Sequence, residues 1–169
     1  MKKIFSILFV FTMLSVQQSI AQHNTTSQIS KLYTSYFALK DALVKSNGTL
    51  ASESAGLMLI AIDSINVAEF GSEQQSAWIK VEKNIKFNAK HIKENKDPEH
   101  QREHFIKLSN NLYEFIKVVK PAETVYYQFC PMANDGKGAN WLSKEPVIKN
   151  PYYGSMMLSC GKTVEVIKQ

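Results

Sequence analysis

The chain has 169 residues, a formal net charge of +5 and two cysteines. This length fits one domain that buries a core without needing disulfides to fold. The charge excess is mild and the lysines between residues 80 and 96 are interleaved with glutamates, so the concentrated basic footprint of a nucleic-acid-binding protein is missing.

The first 21 residues have the layout of a secretory signal peptide. Two lysines precede an apolar run from Ile4 to Val16, and Ser19-Ile20-Ala21 offers small residues for cleavage. No later segment approaches the roughly 20 apolar residues of a membrane-spanning helix. We therefore expect a periplasmic or secreted protein whose mature chain, residues 22–169, does not span the membrane.

Apolar residues at helical spacing predict four helices. The first stops at Asn47-Gly48, and the second runs from about Ser52 to Asn66 with apolar residues so dense that it should lie deep in the core. Ser72-Glu73-Gln74-Gln75 forms a capping box that opens the third helix, which extends to about Glu94.

The fourth helix begins at Asp97-Pro98, because Asp caps a helix and Pro fits its first turn. It runs toward Pro121. Four helices with short connections predict an antiparallel four-helix bundle. The sequence thus favours a mainly α fold.

From Thr124 the pattern changes to short strands. Residues 125–129 and 163–167 have strand-like composition and alternation, and Asn134-Asp135-Gly136-Lys137-Gly138 forms a turn between them. We predict that residues 22–169 are a single domain, in which residues 124–169 form a β-hairpin or irregular cap on the bundle.

The same C-terminal segment concentrates sulfur. Cys130-Pro131-Met132 and Met156-Met157-Leu158-Ser159-Cys160 bring together two thiols and three thioethers, which prefer a soft ion such as Cu(I). Alternation along an extended backbone would put Cys130 and Met132 on one face. A plain disulfide between the cysteines fits an oxidising compartment equally well and would stabilise the fold by about 3 to 4 kcal/mol.

Two histidines of the fourth helix are candidate ligands. His100 and His104 lie one turn apart on one face, and neutral imidazole suits Cu or Zn. They would converge with the sulfurs if the C-terminal segment folds over the start of this helix. His91 is expected instead to complement the dipole at the end of the third helix.

The stretch His100-Gln101-Arg102-Glu103-His104 also matches the inverted zinc-protease pattern H-x-x-E-H. Such an enzyme needs a third ligand and a substrate cleft, for which this domain has little chain left. We expect no enzyme, and expect Arg102 and Glu103 to form a surface ion pair or a cap contact.

A more specific motif runs through the C-terminal third and has a helical part upstream of it. The C-terminal part consists of Tyr127, Cys130, Pro131, Met132, Trp141, Leu142, Ser143, Ile148, Asn150, Pro151, Tyr152, Gly154, Met157, Cys160 and Gly161. The helical part consists of residues 100–105 and Leu108-Ser109. Through these residues the chain, from about Tyr33 onward, resembles an uncharacterised exported domain family. That family also occurs at the C-terminus of periplasmic adaptor (membrane fusion) subunits of copper- and silver-type heavy-metal efflux systems. The resemblance implies an exported, helix-rich domain associated with copper-type metal handling, and it favours Met157 over Met156 as a ligand.

These patterns predict an exported protein that binds a soft metal ion, Cu(I) first, and buffers it or delivers it to a periplasmic efflux component without catalysis. The candidate ligands are Cys130, Met132, Met157, Cys160, His100 and His104. The alternative is an interaction module without metal, stapled by a Cys130–Cys160 disulfide. Its aromatic loop around Trp141 and Tyr152-Tyr153 would dock a partner protein.

Overall fold

The computed structural model describes residues 27–168, which form four helices and a small C-terminal sheet of three antiparallel strands. The predicted signal peptide lies outside the described residues. The elements in chain order are α1 (27–44), α2 (Gly48–Asp63), α3 (Ser72–Glu94), α4 (Pro98–Val119), β1 (Val125–Cys130), β2 (Ala139–Ser143) and β3 (Lys162–Ile167). The mainly α prediction is confirmed. Within this range, no helix combines the length and apolar character needed to cross a bilayer.

Side-chain caps explain where α2 and α4 begin. The Asn47 side chain accepts a hydrogen bond from the backbone of Leu50 at 3.0 Å, so α2 starts at Gly48, before the predicted Ser52. The residue that stops α1 therefore also starts α2. Asp97 accepts from the backbone of Glu99 at 3.2 Å, as its predicted capping role requires.

The start of α3 is shifted by one residue from the predicted capping box. Gly71 is the N-cap, and Gln74 accepts a hydrogen bond from the Gly71 backbone at 3.3 Å. Ser72 is therefore the first helical residue. The predicted end of this helix at Glu94 is confirmed.

Helix α2 does not lie deep in the core as predicted. Leu57 and Ile60 are 61% and 68% exposed, and the buried face consists largely of small residues such as Ala51 and Ala55. Small side chains allow close approach to α3, where Ser52 donates to a backbone carbonyl at 2.5 Å. The dense apolar sequence therefore buries one narrow face, which includes Met58 and Ile62, and leaves Leu57 and Ile60 exposed.

The sheet has the strand order β2-β1-β3, with β1 in the centre. The two predicted strands are confirmed as β1 and β3, which pair antiparallel. The sequence did not predict β2, whose Ala-Asn-Trp-Leu-Ser residues give a weak strand signal. β2 pairs antiparallel with β1 and places Trp141 opposite Gln128.

Tyr36 of α1 joins the helices to the sheet. Its fully buried hydroxyl accepts a hydrogen bond from the backbone of Leu142 in β2 at 3.0 Å and lies 2.8 Å from the Ser109 hydroxyl of α4. Its ring stacks on Phe105 with centroids 5.3 Å apart. Helices and sheet therefore share one core, which fixes the position of the C-terminal segment against α4.

Candidate functional site

The two cysteines meet at one end of the sheet. Cys130 is the last residue of β1 and is buried, and Cys160 is half-buried just before β3. Antiparallel pairing sets Phe129 opposite Lys162, and the two Sγ atoms lie 3.0 Å apart. The fold thus joins two thiols that are 30 positions apart in the chain.

Asn150 holds the loop that carries Cys160. This fully buried side chain donates to the Cys160 carbonyl at 2.9 Å and accepts from the Tyr152 backbone at 2.8 Å. The next residue, Gly161, has a φ of 142°, and an added Cβ there would lie 2.8 Å from the Phe129 carbonyl. Hydrogen bonds and close backbone packing therefore preset the position of the Cys160 thiol.

The separation of the two sulfurs lies between two chemical states. A disulfide brings its sulfurs to about 2.0 Å, whereas two thiolates that share a tetrahedral ion with bonds of about 2.3 Å stand about 3.8 Å apart. The observed separation is 3.0 Å. Either state requires only a small side-chain adjustment.

The Cys160 thiol holds its proton more strongly than an isolated cysteine. Its pKa is raised chiefly by the hydrogen bond with Cys130, and further by burial and by the charge of Cys130, whereas a backbone hydrogen bond from Met132 lowers it. A thiophilic ion binding here must displace a proton.

The three methionines of the segment differ in exposure. Met132 is 53% and Met156 is 73% exposed, whereas Met157 is half-buried. The backbones of Met132 and Met157 hydrogen-bond to Cys160, the latter at 3.0 Å. The predicted alternation of Cys130 and Met132 is wrong, because β1 ends at Cys130 and leaves Met132 in the exposed turn.

Three imidazoles meet between α3 and α4. The ring centroids of His100 and His104 are 4.8 Å apart, and His91 stacks on His104 at 4.4 Å with ring planes 12° apart. One ligand nitrogen of each lies within 4.8 Å of the others, and all three residues are half-buried. His91, predicted only to complement a helix dipole, belongs to this cluster.

Asn88 fixes the proton on His104. Its side-chain nitrogen donates to the Asn84 carbonyl at 2.8 Å, so its Oδ1 faces His104 Nδ1 at 2.9 Å. Because Oδ1 can only accept, Nδ1 carries the proton and Nε2 keeps its lone pair. Burial lowers the pKa of His104, and the nearby His91 and His100 lower it further. The ring is therefore held in the neutral form that binds metals.

The imidazoles and the thiols belong to different sides of α4. Arg102 lies two positions from each histidine, about 200° around the helix, and donates to the Pro151 carbonyl at 2.8 Å. The C-terminal segment covers this side, whereas His104 faces α3. The three-residue cluster among residues 27–168 contains no cysteine, so imidazole and sulfur do not converge there.

For Arg102 the cap contact is confirmed, which was one of its two predicted roles, whereas the surface ion pair is not what it forms. It is buried and donates from Nη2 to the Leu43 carbonyl at 3.1 Å and to the Ser46 hydroxyl at 2.7 Å. These contacts cap the C-terminal end of α1. Glu103, its expected ion-pair partner, is exposed.

The pattern of a single helix does not indicate His91 or Asn88, because their contacts with His104 join α3 to α4. The turn at residues 95–97 joins the two helices, and residues at similar distances from it along the chain meet: Asn88 contacts His104, and the Ile92 carbonyl accepts from Gln101 at 3.2 Å. Counting outward from the predicted start of the fourth helix would have set His91 opposite the two histidines of α4.

Most of the helical part of the chain matches a known protein family. A family model with the description "Protein of unknown function (DUF3347)" matches residues 32–124. The match includes the three clustered histidines and ends before Cys130 and Cys160. Curated proteins and solved structures give no match.

Proposed function

The chain belongs to the DUF3347 family of unknown function, and we propose that it is an exported protein that binds a soft metal ion, Cu(I) first, at Cys130 and Cys160. The observation that carries this proposal is the 3.0 Å approach of their Sγ atoms in a preset loop. In this role the protein buffers the ion or delivers it to a periplasmic component of a heavy-metal efflux system.

The chemistry of the surrounding side chains suits a soft ion. Two thiolates and a thioether form a ligand set that Cu(I) prefers over harder ions, and thioethers need no deprotonation. Met132 is exposed and Met157 is half-buried beside the pair, so either side chain can turn onto a bound ion. Because Cys160 is also half-buried, the ion can enter and leave, as buffering or delivery requires.

We also propose that the four helices pack as an antiparallel four-helix bundle. Contacts between Asn88 and His104, and from Ser52 to the Lys93 carbonyl, support this arrangement. In the bundle, the C-terminal sheet covers one side of α4 and leaves the histidine side to α3.

We propose no catalytic role for the H-x-x-E-H stretch. His91 supplies the third nitrogen that a zinc hydrolase needs, but Glu103 is exposed, without the water-excluded surroundings in which a general base is most effective. Hydrolysis of a chromogenic peptide by the zinc-loaded protein, abolished in Glu103→Gln, would contradict this view.

The direct test is a Cu(I) competition titration of the reduced protein against a chromogenic chelator. We expect one equivalent to bind, and Cys130→Ser to weaken binding by at least about 100-fold, because a hydroxyl is a poor ligand for a soft ion. Cys160→Ser should have the same effect. A reduced protein that cannot compete with the chelator would refute the proposal.

Two conservative variants identify the third ligand. Met157→Leu and Met132→Leu keep most of the side-chain volume and remove only the thioether. We expect the substitution of the coordinating methionine to weaken Cu(I) binding about tenfold and the other substitution to leave it unchanged. Met156→Leu, at an exposed position, is the control. His100→Ala should leave Cu(I) affinity unchanged, because the imidazoles lie on the other side of α4.

A disulfide-stapled interaction module is the second candidate, because the two sulfurs, 3.0 Å apart, need only a small side-chain adjustment to form a disulfide. Its predicted docking surface needs correction. Trp141 is fully buried and Tyr152 is 93% buried, so neither is available to a partner. Tyr153 is half-buried. The exposed apolar side chains of this region instead include Val147, Met156 and Leu158.

A further inference from the structure

We propose that His91, His100 and His104 form a second metal site, separate from the thiol pair, which takes a borderline divalent ion such as Zn(II) or Cu(II). This goes beyond the sulfur site, because it uses a different class of ligand on another side of α4. The proposal is carried by the convergence of the three imidazoles and by the hydrogen bond that orients one of them.

The geometry is close to that of a three-nitrogen site. The ligand nitrogens lie within 4.8 Å of one another, and in a tetrahedral site with metal–nitrogen bonds of about 2.0–2.1 Å they would stand about 3.4 Å apart. His100 and His104 project from successive turns of α4, and His91 projects from α3. The remaining contraction is within reach of side-chain torsions, since all three residues are half-buried and not locked in the core.

One ligand is already oriented. Asn88 is buried, with its amide held by the Asn84 carbonyl, and it accepts the His104 Nδ1 proton. A metal-bound histidine usually donates its second ring N–H in this way to an oxygen that sets its tautomer and direction. His104 therefore presents Nε2 for coordination before any ion arrives.

The ligand set selects the class of ion. The cluster holds three imidazoles, with no carboxylate or thiol among its members. Ca(II) and Mg(II) prefer oxygen ligands and Cu(I) favours sulfur, whereas imidazole suits Zn(II), Cu(II) and Ni(II). Three protein ligands leave a fourth position for water or for a ligand from solution.

The aromatic ring of Phe87 forms an apolar wall beside the cluster. Phe87 is 54% exposed, and its ring centroid lies 4.4 Å from that of His91 and 6.1 Å from that of His104. Lys107 disfavours a proton on His104 and Glu103 favours one, while burial is the largest effect and lowers the pKa of His104. An ion held by the three rings would therefore lie beside an apolar ring, between α3 and α4.

The test uses the full-length chain, expressed and purified with the thiols removed as Cys130→Ser/Cys160→Ser, and titrates it calorimetrically with Zn(II) alone and with Cu(II) alone. We expect one equivalent of each ion to bind. His91→Ala and His104→Ala should each weaken binding at least tenfold, because each removes one of the three imidazole ligands. Oxidised wild-type protein, whose thiols are blocked, should bind like the double variant and covers the case in which that variant folds poorly.

Two controls separate coordination from ring packing. His23→Ala removes the fourth histidine of the chain, which lies outside the described residues, and should leave affinity unchanged. Asn88→Ala should weaken Zn(II) binding by about 10- to 100-fold, as loss of an orienting oxygen does, whereas Asn88→Asp keeps the acceptor and should retain binding. If the stacked rings had only a packing role, the Asn88 variants would lower the stability of the protein without changing its metal affinity.

Nitrogen NMR of the imidazoles gives a readout that does not depend on a variant folding. Without metal, His104 should appear as the Nδ1–H tautomer, and one equivalent of Zn(II) should shift one nitrogen of each of the three rings. The proposal is overturned if no ring nitrogen shifts, or if the Cys-free protein binds Zn(II) and Cu(II) equally well with and without His91 and His104. Binding that disappears only in His23→Ala would likewise overturn it.

Discussion

The side chain of Arg102 donates from Nε to the carbonyl of Pro151 at 2.8 Å, across 49 positions of the chain. Its Nη2 also reaches the Leu43 carbonyl and the Ser46 hydroxyl. One buried guanidinium thus links α4, the end of α1 and the segment that carries Cys160.

We expect Arg102→Ala to lower the free energy of unfolding by about 2–4 kcal/mol, because two carbonyls and a hydroxyl lose their donor. Arg102→Lys should recover only part of this, since a single ammonium cannot reproduce the forked geometry. Urea unfolding measures both. Lys107→Ala, exposed on the same helix, is the control and should change stability by less than about 0.5 kcal/mol. An equally small effect of Arg102→Ala would show that water replaces its contacts.

Two glycines of the turn between β1 and β2 provide a matched pair. Gly136 and Gly138 have φ of 78° and 83°, but an added Cβ meets nothing within 4 Å at Gly136, whereas at Gly138 it would lie 2.3 Å from the Phe129 ring. Gly136→Ala should cost about 1 kcal/mol, for backbone strain alone. Gly138→Ala should cost about 2–4 kcal/mol, because ring displacement adds to the strain. Equal losses in thermal or urea unfolding would mean that the ring moves freely.

The turn and the strands show what local sequence signals can predict. The Asn-Asp-Gly-Lys-Gly turn was predicted, and Asn134, Asp135, Gly136 and Gly138 all adopt positive φ. The strand β2 was not, because its stability comes from pairing with β1 and from burial of Trp141. Residue chemistry fixed the turn locally, but the strand depends on partners that are distant in sequence.

Oxidation should stabilise the protein and abolish the soft-metal binding that we propose for the two thiols. A disulfide that closes the loop between Cys130 and Cys160 contributes about 3 to 4 kcal/mol in the chain-entropy model. Unfolding midpoints with and without a dithiol reductant should therefore differ, and the difference should vanish in Cys160→Ser. Mass spectrometry under non-reducing conditions reports the oxidised fraction. Equal midpoints for fully oxidised and fully reduced protein would contradict this prediction.

The stability of the metal-free protein should decrease as the pH decreases, because His104 becomes protonated. Its pKa is lowered in the folded state from the ordinary 6.5, first by burial and then by His91 and His100. The unfolded chain therefore takes up a proton at higher pH than the folded one. The contribution is complete above about pH 6.5 and is lost as pH falls toward the folded pKa.

Urea midpoints of the metal-free protein between about pH 8 and pH 5 measure this effect. His104→Gln keeps a polar side chain and removes the titrating ring, so its stability should decline less over the same range. His100→Gln, from the next turn, is the comparison for a cluster member without the Asn88 hydrogen bond. A decline unchanged in His104→Gln would assign the pH dependence to other groups.

The two candidate sites also differ in how far the sequence alone could predict them. The sequence brought Cys130 and Cys160 forward because they are the only cysteines, and the pairing of two predicted strands made their approach foreseeable. The histidine cluster depends on how two helices face each other across a short turn. One helix face showed His100 and His104, but only the assembled helices show His91 and the buried Asn88.

The order of elements along the chain sets the order in which the sulfur site can form. All four helices precede Cys130, and Cys160 reaches it only when β3 pairs with β1. A chain that leaves the ribosome or a translocation channel from its N-terminus first can pack its helices before the two thiols come together. Newly made protein can therefore pass through a stage with a formed helical region and separate thiols, in which each cysteine is open to outside reagents.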